Sequence, residues 1–315
     1  MSQDLAFLFP GQGSQRIGML ADATEQFAEA AQVFEEASDA LGFDLHALVS
    51  SGDPEQLNLT EFTQPALLAA SVALWRVWEA KVGARPAAMA GHSLGEFSAL
   101  CCAGAISLRD SVSLVRERGR FMQTAVPVGV GAMAAILGLD DEQVTAICED
   151  ISGSDGGVVQ AVNFNAPGQV VIAGHSAAVD GAITALKAAG AKRAMPLPVS
   201  APFHTALMLP AGERLAEVLQ GISIAKPEIP VVHNVHAQTE EDPESIRDLL
   251  VQQISAPVRW TSCVATLQSM GAVQFAECGA GKVLGGLLRR IDKSASCVYL
   301  EAPDDLLSAV TELAD

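Results

Sequence analysis

Ser93 stands in Gly91-His92-Ser93-Leu94-Gly95, a G-x-S-x-G pattern set between the apolar run at 86–90 and a helix-like segment. A serine on a strained strand-to-helix turn is a nucleophile in waiting. Its flanking glycines let the backbone turn sharply and keep Cβ atoms clear. The helix that follows aims its amides and positive dipole end at developing negative charge. The pattern alone is weak, and the strand before it and helix after it are the context it needs. The hydroxyl also needs a base, and six histidines are available. His92 adjoins the serine, where neighbouring side chains diverge, and is expected to pack beneath the turn. His46 and His175 fall near surface turns, and His233 and His236 flank a strand end. His204, in the loop Ser200-Ala201-Pro202-Phe203-His204, follows a predicted strand end, where α/β sheets place reactive groups, and is the best candidate base. No acid stands out as a third member: between Ser93 and His204 the acids cluster at Asp140, Asp141, Glu149 and Asp150. A Ser–His dyad oriented by a carbonyl group is expected ahead of a full triad.

Two further polar residues fall on faces where burial is expected. Residues 108–125 have helical spacing with Leu108, Val112, Val115 and Met122 on one face, and Arg118 lies on that stripe. An arginine there is costly unless a protein carboxylate or a ligand anion pairs with it, and the spacing leaves both partners open. In residues 244–254, Gln253 shares a face with Ile246, Leu249 and Leu250.

Such residues need a large framework. Half of the 315 residues are hydrophobic and 18% are charged, enough for a large core and unlike a disordered chain. The net charge of −18 argues against nucleic-acid binding and against docking on an anionic membrane. The N-terminus lacks the basic-then-apolar layout of a signal peptide, and the longest apolar run, at 65–75, is too short to span a bilayer. A cytoplasmic protein is expected. Six irregularly spaced cysteines, two of them adjacent at Cys101-Cys102, fit free thiols in a reducing compartment rather than a zinc site or disulfide scaffold. No metal site is expected.

Residues 5–9 read as a first strand ended by the Gly-rich loop Pro10-Gly11-Gln12-Gly13-Ser14-Gln15. Helices over 22–41, 63–80, 108–125, the segment after His204 through Leu219, and 244–254 alternate with strands over 86–90, 229–234, 272–276 and 298–300. Between them, strands at 131–137, 158–164, 169–173 and 193–199 and helices at 140–150 and 176–189 give the order β-α-β-β-α-β, the ferredoxin-like unit. The fold class expected is α/β, a parallel-sheet core with an inserted small domain. Residues 1–127 and 199–315 would form the large domain and 128–198 the small one.

Phe9-Pro10-Gly11-Gln12-Gly13-Ser14-Gln15, the turn at 91–96, Arg116-Glu117-Arg118-Gly119, Asn163-Phe164-Asn165-Ala166-Pro167-Gly168-Gln169 and Pro202-Phe203-His204 occur in this order. Together they resemble the malonyl-CoA:acyl carrier protein transacylases of bacterial fatty-acid synthesis, over residues 5–291. The resemblance implies an α/β-hydrolase-like core with a ferredoxin-like insert. It implies that Ser93 is the nucleophile, His204 its base and later acid, and Arg118 the holder of the malonyl carboxylate. The backbone amides of Gln12 and Leu94 would form the oxyanion hole, and Gln253 would accept from His204 through its carbonyl oxygen. The implied cycle is ping-pong through a malonyl-serine, from malonyl-CoA to the phosphopantetheine thiol of acyl carrier protein, with no cofactor. Many bacterial members carry a small residue before the histidine; Phe203 stands here, as in polyketide acyltransferases that reject methylmalonyl. An acidic carrier protein would need a basic patch on this acidic chain, and Lys192-Arg193 and Arg289-Arg290 are the candidates. A monomer is expected. The rival readings are a serine esterase or thioesterase, an acyltransferase serving a polyketide pathway, and a non-catalytic relative.

Overall fold

The structure is a computed structural model that describes residues 2–82, 85–155, 157–199 and 201–313. It is a mixed α/β fold with a parallel sheet and a separate antiparallel sheet. The first part runs β1 (Ser2–Phe9), α1 (Ala21–Gln26), α2 (Ala28–Leu41), α3 (Leu45–Ser51), α4 (Pro54–Leu57), α5 (Thr60–Val82), β2 (Pro86–Gly91), α6 (Leu94–Cys102) and α7 (Leu108–Thr124). The middle part runs β3 (Gly131–Leu137), α8 (Asp141–Asp155), β4 (Val159–Ala166), β5 (Gln169–His175), α9 (Ser176–Ala188) and β6 (Arg193–Pro196). The last part runs α10 (Leu209–Leu219), β7 (Val231–Val232), α11 (Pro243–Gln253), α12 (Trp260–Ser269), β8 (Gln274–Glu277), α13 (Val283–Ile291), β9 (Ser296–Tyr299) and α14 (Pro303–Glu312).

The parallel sheet has the order β7-β2-β1-β8-β9. The run Leu5-Ala6-Phe7-Leu8-Phe9 explains why it is covered on both faces. Side chains alternate across a strand, and every one of these five is apolar and buried. Leu5, Phe7 and Phe9 enter the core built with α2, α5, α6 and α7, where Phe7 meets Trp75 and Trp78 edge-on. Ala6 and Leu8 face Trp260, Val264 and Leu267 of α12 and Leu284 and Leu288 of α13. A strand apolar on both faces belongs inside a parallel sheet with helices on each side.

The antiparallel sheet has the order β4-β5-β3-β6. One face packs on α8 and α9 through Ile136, Val144, Ile172 and Leu186. The other carries Met133, Val162, Val171 and Ala173, against which Leu197, Val199 and Phe203 pack. Its β4 is tied to the rest of the chain at Val258, whose amide donates to Val162 O at 2.8 Å and whose carbonyl accepts from Phe164 N at 3.0 Å.

Several expected elements differ. The helix expected over 22–41 is broken at Phe27, whose extended backbone (φ −120°, ψ 116°) ends α1 and starts α2. Apolar periodicity continues across the break, so spacing alone could not show it. The strand expected over 229–234 reduces to Val231–Val232, because His233 and Asn234 turn away to bond Glu96. Pro65 lies inside α5, which begins at Thr60. The short α3 and α4 and the later α12, α13 and α14 had no expected counterpart.

Candidate active site

The turn between β2 and α6 is forced by contact. A Cβ on Gly91 would lie 1.8 Å from Gly95 C, and one on Gly95 would lie 2.0 Å from Phe9 O. No side chain fits at either position. Ser93 pays for the turn with a positive-φ backbone outside the left-handed helical region (φ 51°, ψ −105°), a strain of about 1–3 kcal/mol for a non-glycine residue. Asn234 holds it there. Its Oδ1 accepts from Ser93 N at 2.7 Å and its Nδ2 donates to Gly91 O at 2.7 Å.

Ser93 Oγ lies 2.8 Å from His204 Nε2. His204 is 4% exposed, has φ 64°, and its Nδ1 lies 2.8 Å from the main-chain oxygen of Gln253. A carbonyl oxygen can only accept, so Nδ1 carries the proton and Nε2 presents a lone pair to the serine. Burial first, and the nearby Arg118 charge second, push the His204 pKa down to about 3. The ring is neutral and basic at its serine-facing nitrogen throughout the physiological range. Ser200 of the histidine loop lies outside the described residues.

Arg118 comes from the buried stripe of α7 and is 1% exposed. Its Nη1 donates to Gln64 Oε1 at 2.9 Å, and its Nη2 to Gln253 Oε1 at 2.8 Å and Ser93 Oγ at 3.2 Å. Its Nε is buried without a hydrogen-bond partner. Burial lowers its pKa to about 10, an effect opposed by the Glu96 carboxylate, so it remains a cation at neutral pH. Among the described residues its hydrogen-bond partners are two neutral amides and the serine. Glu96 reaches it through the Gln253 amide.

These groups surround a cavity of about 120 Å³ lined by Gln12, Gln64, His92, Ser93, Leu94, Arg118, Met122, Met133, Asn163, Leu197, Val199, Phe203 and His204. Gln12 follows β1 and Leu94 opens α6, so the two amides named for an oxyanion hole border the same space as the serine. Phe203 forms part of the wall. Gln253 sits behind Arg118, and its carbonyl oxygen meets His204 as expected, while its side chain has a further task. The main-chain carbonyl meets His204, while side-chain Nε2 donates to Ser93 O at 3.0 Å and Glu96 Oε2 at 2.8 Å. His92 is also a lining residue rather than packed beneath the turn, with Nε2 2.8 Å from Asn165 Oδ1 and its ring tilted over Trp260. His46 and His236 are exposed, and His175 Nδ1 accepts from Val158 N. Lys192, Arg193, Arg289 and Arg290 are exposed and stand outside the cavity. A larger hollow of about 660 Å³, bordered by Phe34, Glu35, Asp39, Phe43 and His46, shares no lining residue with the serine cavity.

The sequence reading missed Glu96, Asn234, Gln64 and His233. Glu96 is 0% exposed; its Oε1 lies 2.7 Å from His233 Nδ1 and its Oε2 accepts from Asn234 N at 2.9 Å. The signal was present: an acid inside the apolar segment Leu94–Cys102 is as conspicuous as an arginine on an apolar stripe.

The acyl transferase domain family matches residues 6–290. The chain belongs to this acyltransferase family. Malonyl CoA-acyl carrier protein transacylase of Salmonella typhimurium is 53% identical over 307 residues, 98% of this chain and 99% of the relative. The Bacillus subtilis protein of the same name is 43% identical over 98% of this chain and 97% of its own length. A Coxiella burnetii transacylase structure superposes with a TM-score of 0.97 at 47% identity, covering 99% of this chain and 98% of that one. Another, at 52% identity and a TM-score of 0.96, is a malonyl-transacylase in complex with a type II polyketide acyl-carrier protein, covering 98% of this chain and 99% of that one. An acyltransferase requires a nucleophile that is deprotonated as it attacks, and the neutral His204 is in place to do so. Because its folded pKa is depressed, protonation should not cut the acylation rate until well below the ordinary histidine value of about 6.5. The pH profile of single-turnover acylation should therefore be flat on its acid side from pH 7 to about 5. An acid limb centred between pH 6 and 7 would contradict this.

Proposed function

We propose that this chain transfers the malonyl group from malonyl-CoA to the phosphopantetheine thiol of acyl carrier protein, supplying the extender unit for fatty-acid synthesis. The observation that carries the reading is Arg118, a buried cation with an unpartnered Nε, 3.2 Å from the serine oxygen. A guanidinium surrounded by neutral amides has its charge left for a ligand anion, and the carboxylate of a short acyl group fits it bidentately. His204 Nε2 takes the Ser93 proton as Oγ attacks the thioester carbon. The backbone amides of Gln12 and Leu94 support the oxyanion, and the proton passes to the leaving CoA sulfur as the C–S bond breaks. The malonyl-serine then yields to the carrier thiol by the same steps reversed, a ping-pong cycle with no cofactor. Phosphopantetheinylated carrier protein and malonyl-CoA are the two substrates.

The frame is read as an α/β-hydrolase-like core, residues 1–127 and 199–315, with a ferredoxin-like subdomain over 128–198. The order β3-α8-β4-β5-α9-β6 in a β4-β5-β3-β6 sheet supports the second part. The enzyme is read as a cytoplasmic monomer, and no helix among the described residues is long and apolar enough to cross a membrane.

One residue of each basic doublet, far apart in sequence, bonds the same end of the β3–β5 pair. Lys192 N donates to Leu137 O, Gly138 N to Gly168 O, and Arg290 Nη1 to Gln169 Oε1, at 2.8, 2.8 and 2.9 Å. This exposed cluster is the proposed docking surface for an acidic carrier protein. Leu137 lies on the order of 13 Å along β3 from Met133 in the cavity wall, so a carrier held there needs an extended arm to reach Ser93. A polyketide carrier is the second reading, favoured by the relative seen in complex with one. An esterase is disfavoured because His204 is oriented by a carbonyl and Glu96 faces His233, Asn234 and Gln253 instead.

Intact-protein mass spectrometry after malonyl-CoA should show one malonyl group on wild type and none on Ser93→Ala. Arg118→Ala should lose its preference for malonyl over acetyl. An adduct persisting on Ser93→Ala would overturn the assignment, and continuous release of malonate without a thiol would favour the hydrolase. Phe203 packs on Met133 and Val171 and narrows the cavity where an α-methyl group would sit. Phe203→Ser should therefore raise the methylmalonyl/malonyl ratio of kcat/KM by about tenfold; an unchanged ratio refutes the steric account. Reversing the charge at Lys192, Arg193, Arg289 and Arg290 should raise KM for the carrier protein, most strongly at low salt, and leave KM for malonyl-CoA near its wild-type value.

A further inference from the structure

We propose that Glu96 is a positioning residue for substrate selection: its carboxylate fixes which way round the Gln253 amide sits, and through that amide it aims Arg118. The proposal rests on the malonyl reading above. An amide side chain can be placed either way round in the same space, with its donor and acceptor exchanged. Around Gln253 three neighbours decide the matter. Ser93 O and Glu96 Oε2, at 3.0 and 2.8 Å, can only accept, and Arg118 Nη2, at 2.8 Å, can only donate. Turned round, the amide would set oxygen against oxygen on one side and nitrogen against guanidinium on the other.

The carboxylate is the strongest of these determinants, because it is charged and buried. It is also held rigidly. His233 Nδ1 and the Asn234 amide take its two oxygens, and Asn234 itself clamps the serine turn. Gln253 thus has its Nε2 anchored on a fixed anion and its Oε1 fixed as the acceptor that draws Arg118 Nη2 beside Ser93. Glu96 never touches the acyl group, whose carboxylate would meet only the guanidinium.

Glu96→Gln separates this role from packing. A glutamine there can accept from Asn234 N and Gln253 Nε2 through its oxygen and turn its NH₂ to His233 Nδ1. The His233 proton then moves to Nε2, which has no hydrogen-bond partner in the present arrangement. The hydrogen bonds are conserved and the charge is removed, so the polarity of Gln253 loses its strongest determinant and rests on Ser93 O and Arg118 Nη2 alone.

The experiment measures kcat/KM for malonyl-CoA and acetyl-CoA, with holo-acyl carrier protein as acceptor, in wild type, Glu96→Gln, Arg118→Ala and the double variant. Glu96→Gln should lower the malonyl/acetyl ratio by about tenfold, but change it by less than about twofold in the Arg118→Ala background. Glu96→Asp, which keeps an acceptor-only carboxylate, should retain the preference even where it loses thermal stability. Equal losses on both substrates, an undiminished effect without Arg118, or a Glu96→Gln chain that does not fold would each overturn the proposal and leave Glu96 a core residue. Wild type reports on the reading beneath. If it shows no malonyl preference, both fall; if it does and Glu96→Gln keeps it, only the role of Glu96 falls.

Discussion

A guanidinium taken almost wholly out of water is the constraint around which this site is arranged. Leaving such a charge uncompensated inside a protein costs about 3–5 kcal/mol, and here burial lowers the Arg118 pKa to about 10. Direct pairing with a carboxylate would have relieved the cost and consumed the charge. The chain instead brings in Gln64 from α5, Gln253 from α11 and the hydroxyl of Ser93, all dipoles. Its anion, Glu96, is kept one amide away. The guanidinium is stabilised enough to stay ionised and is not neutralised, which keeps its charge open to the carboxylate proposed for it.

The same economy of contacts fixes Ser93. β1, β2 and the start of α6 are packed so closely that glycine is the sole residue possible at 91 and 95. The strained Ser93 backbone is held from the opposite side by Asn234, just beyond β7. Asn234 and Gln253 both answer to Glu96. The serine turn, the histidine loop and the arginine are therefore parts of one hydrogen-bonded body, reached from five separate segments of the chain.

Much of this was legible in the residues, for identifiable reasons. Residues 131–137 showed a strand as a short apolar run and residues 176–189 a helix through apolar spacing, and the structure places β3 and α9 there. Arg118 could be singled out because a charge on an apolar stripe is expensive. Glu96, buried inside the apolar segment Leu94–Cys102, obeys the same rule. Other features leave no trace in spacing. The break at Phe27 is a change of two dihedral angles within a continuous apolar pattern. That Gln253 meets His204 through its main chain and Arg118 through its side chain is a matter of three-dimensional approach. That Lys192 and Arg290 bond the same end of the β3–β5 pair depends on the pairing of those strands and on the docking of α13, neither of which is a local property.

The partner that orients His204 is a peptide oxygen at the end of α11. In a triad built from an acid, one substitution removes the third member. Here the atom belongs to the backbone, and every residue that could replace Gln253 would bring it along. The orientation of the imidazole is thus written into the path of the chain and not into the identity of any side chain. Only a change that moves the end of that helix can erase it.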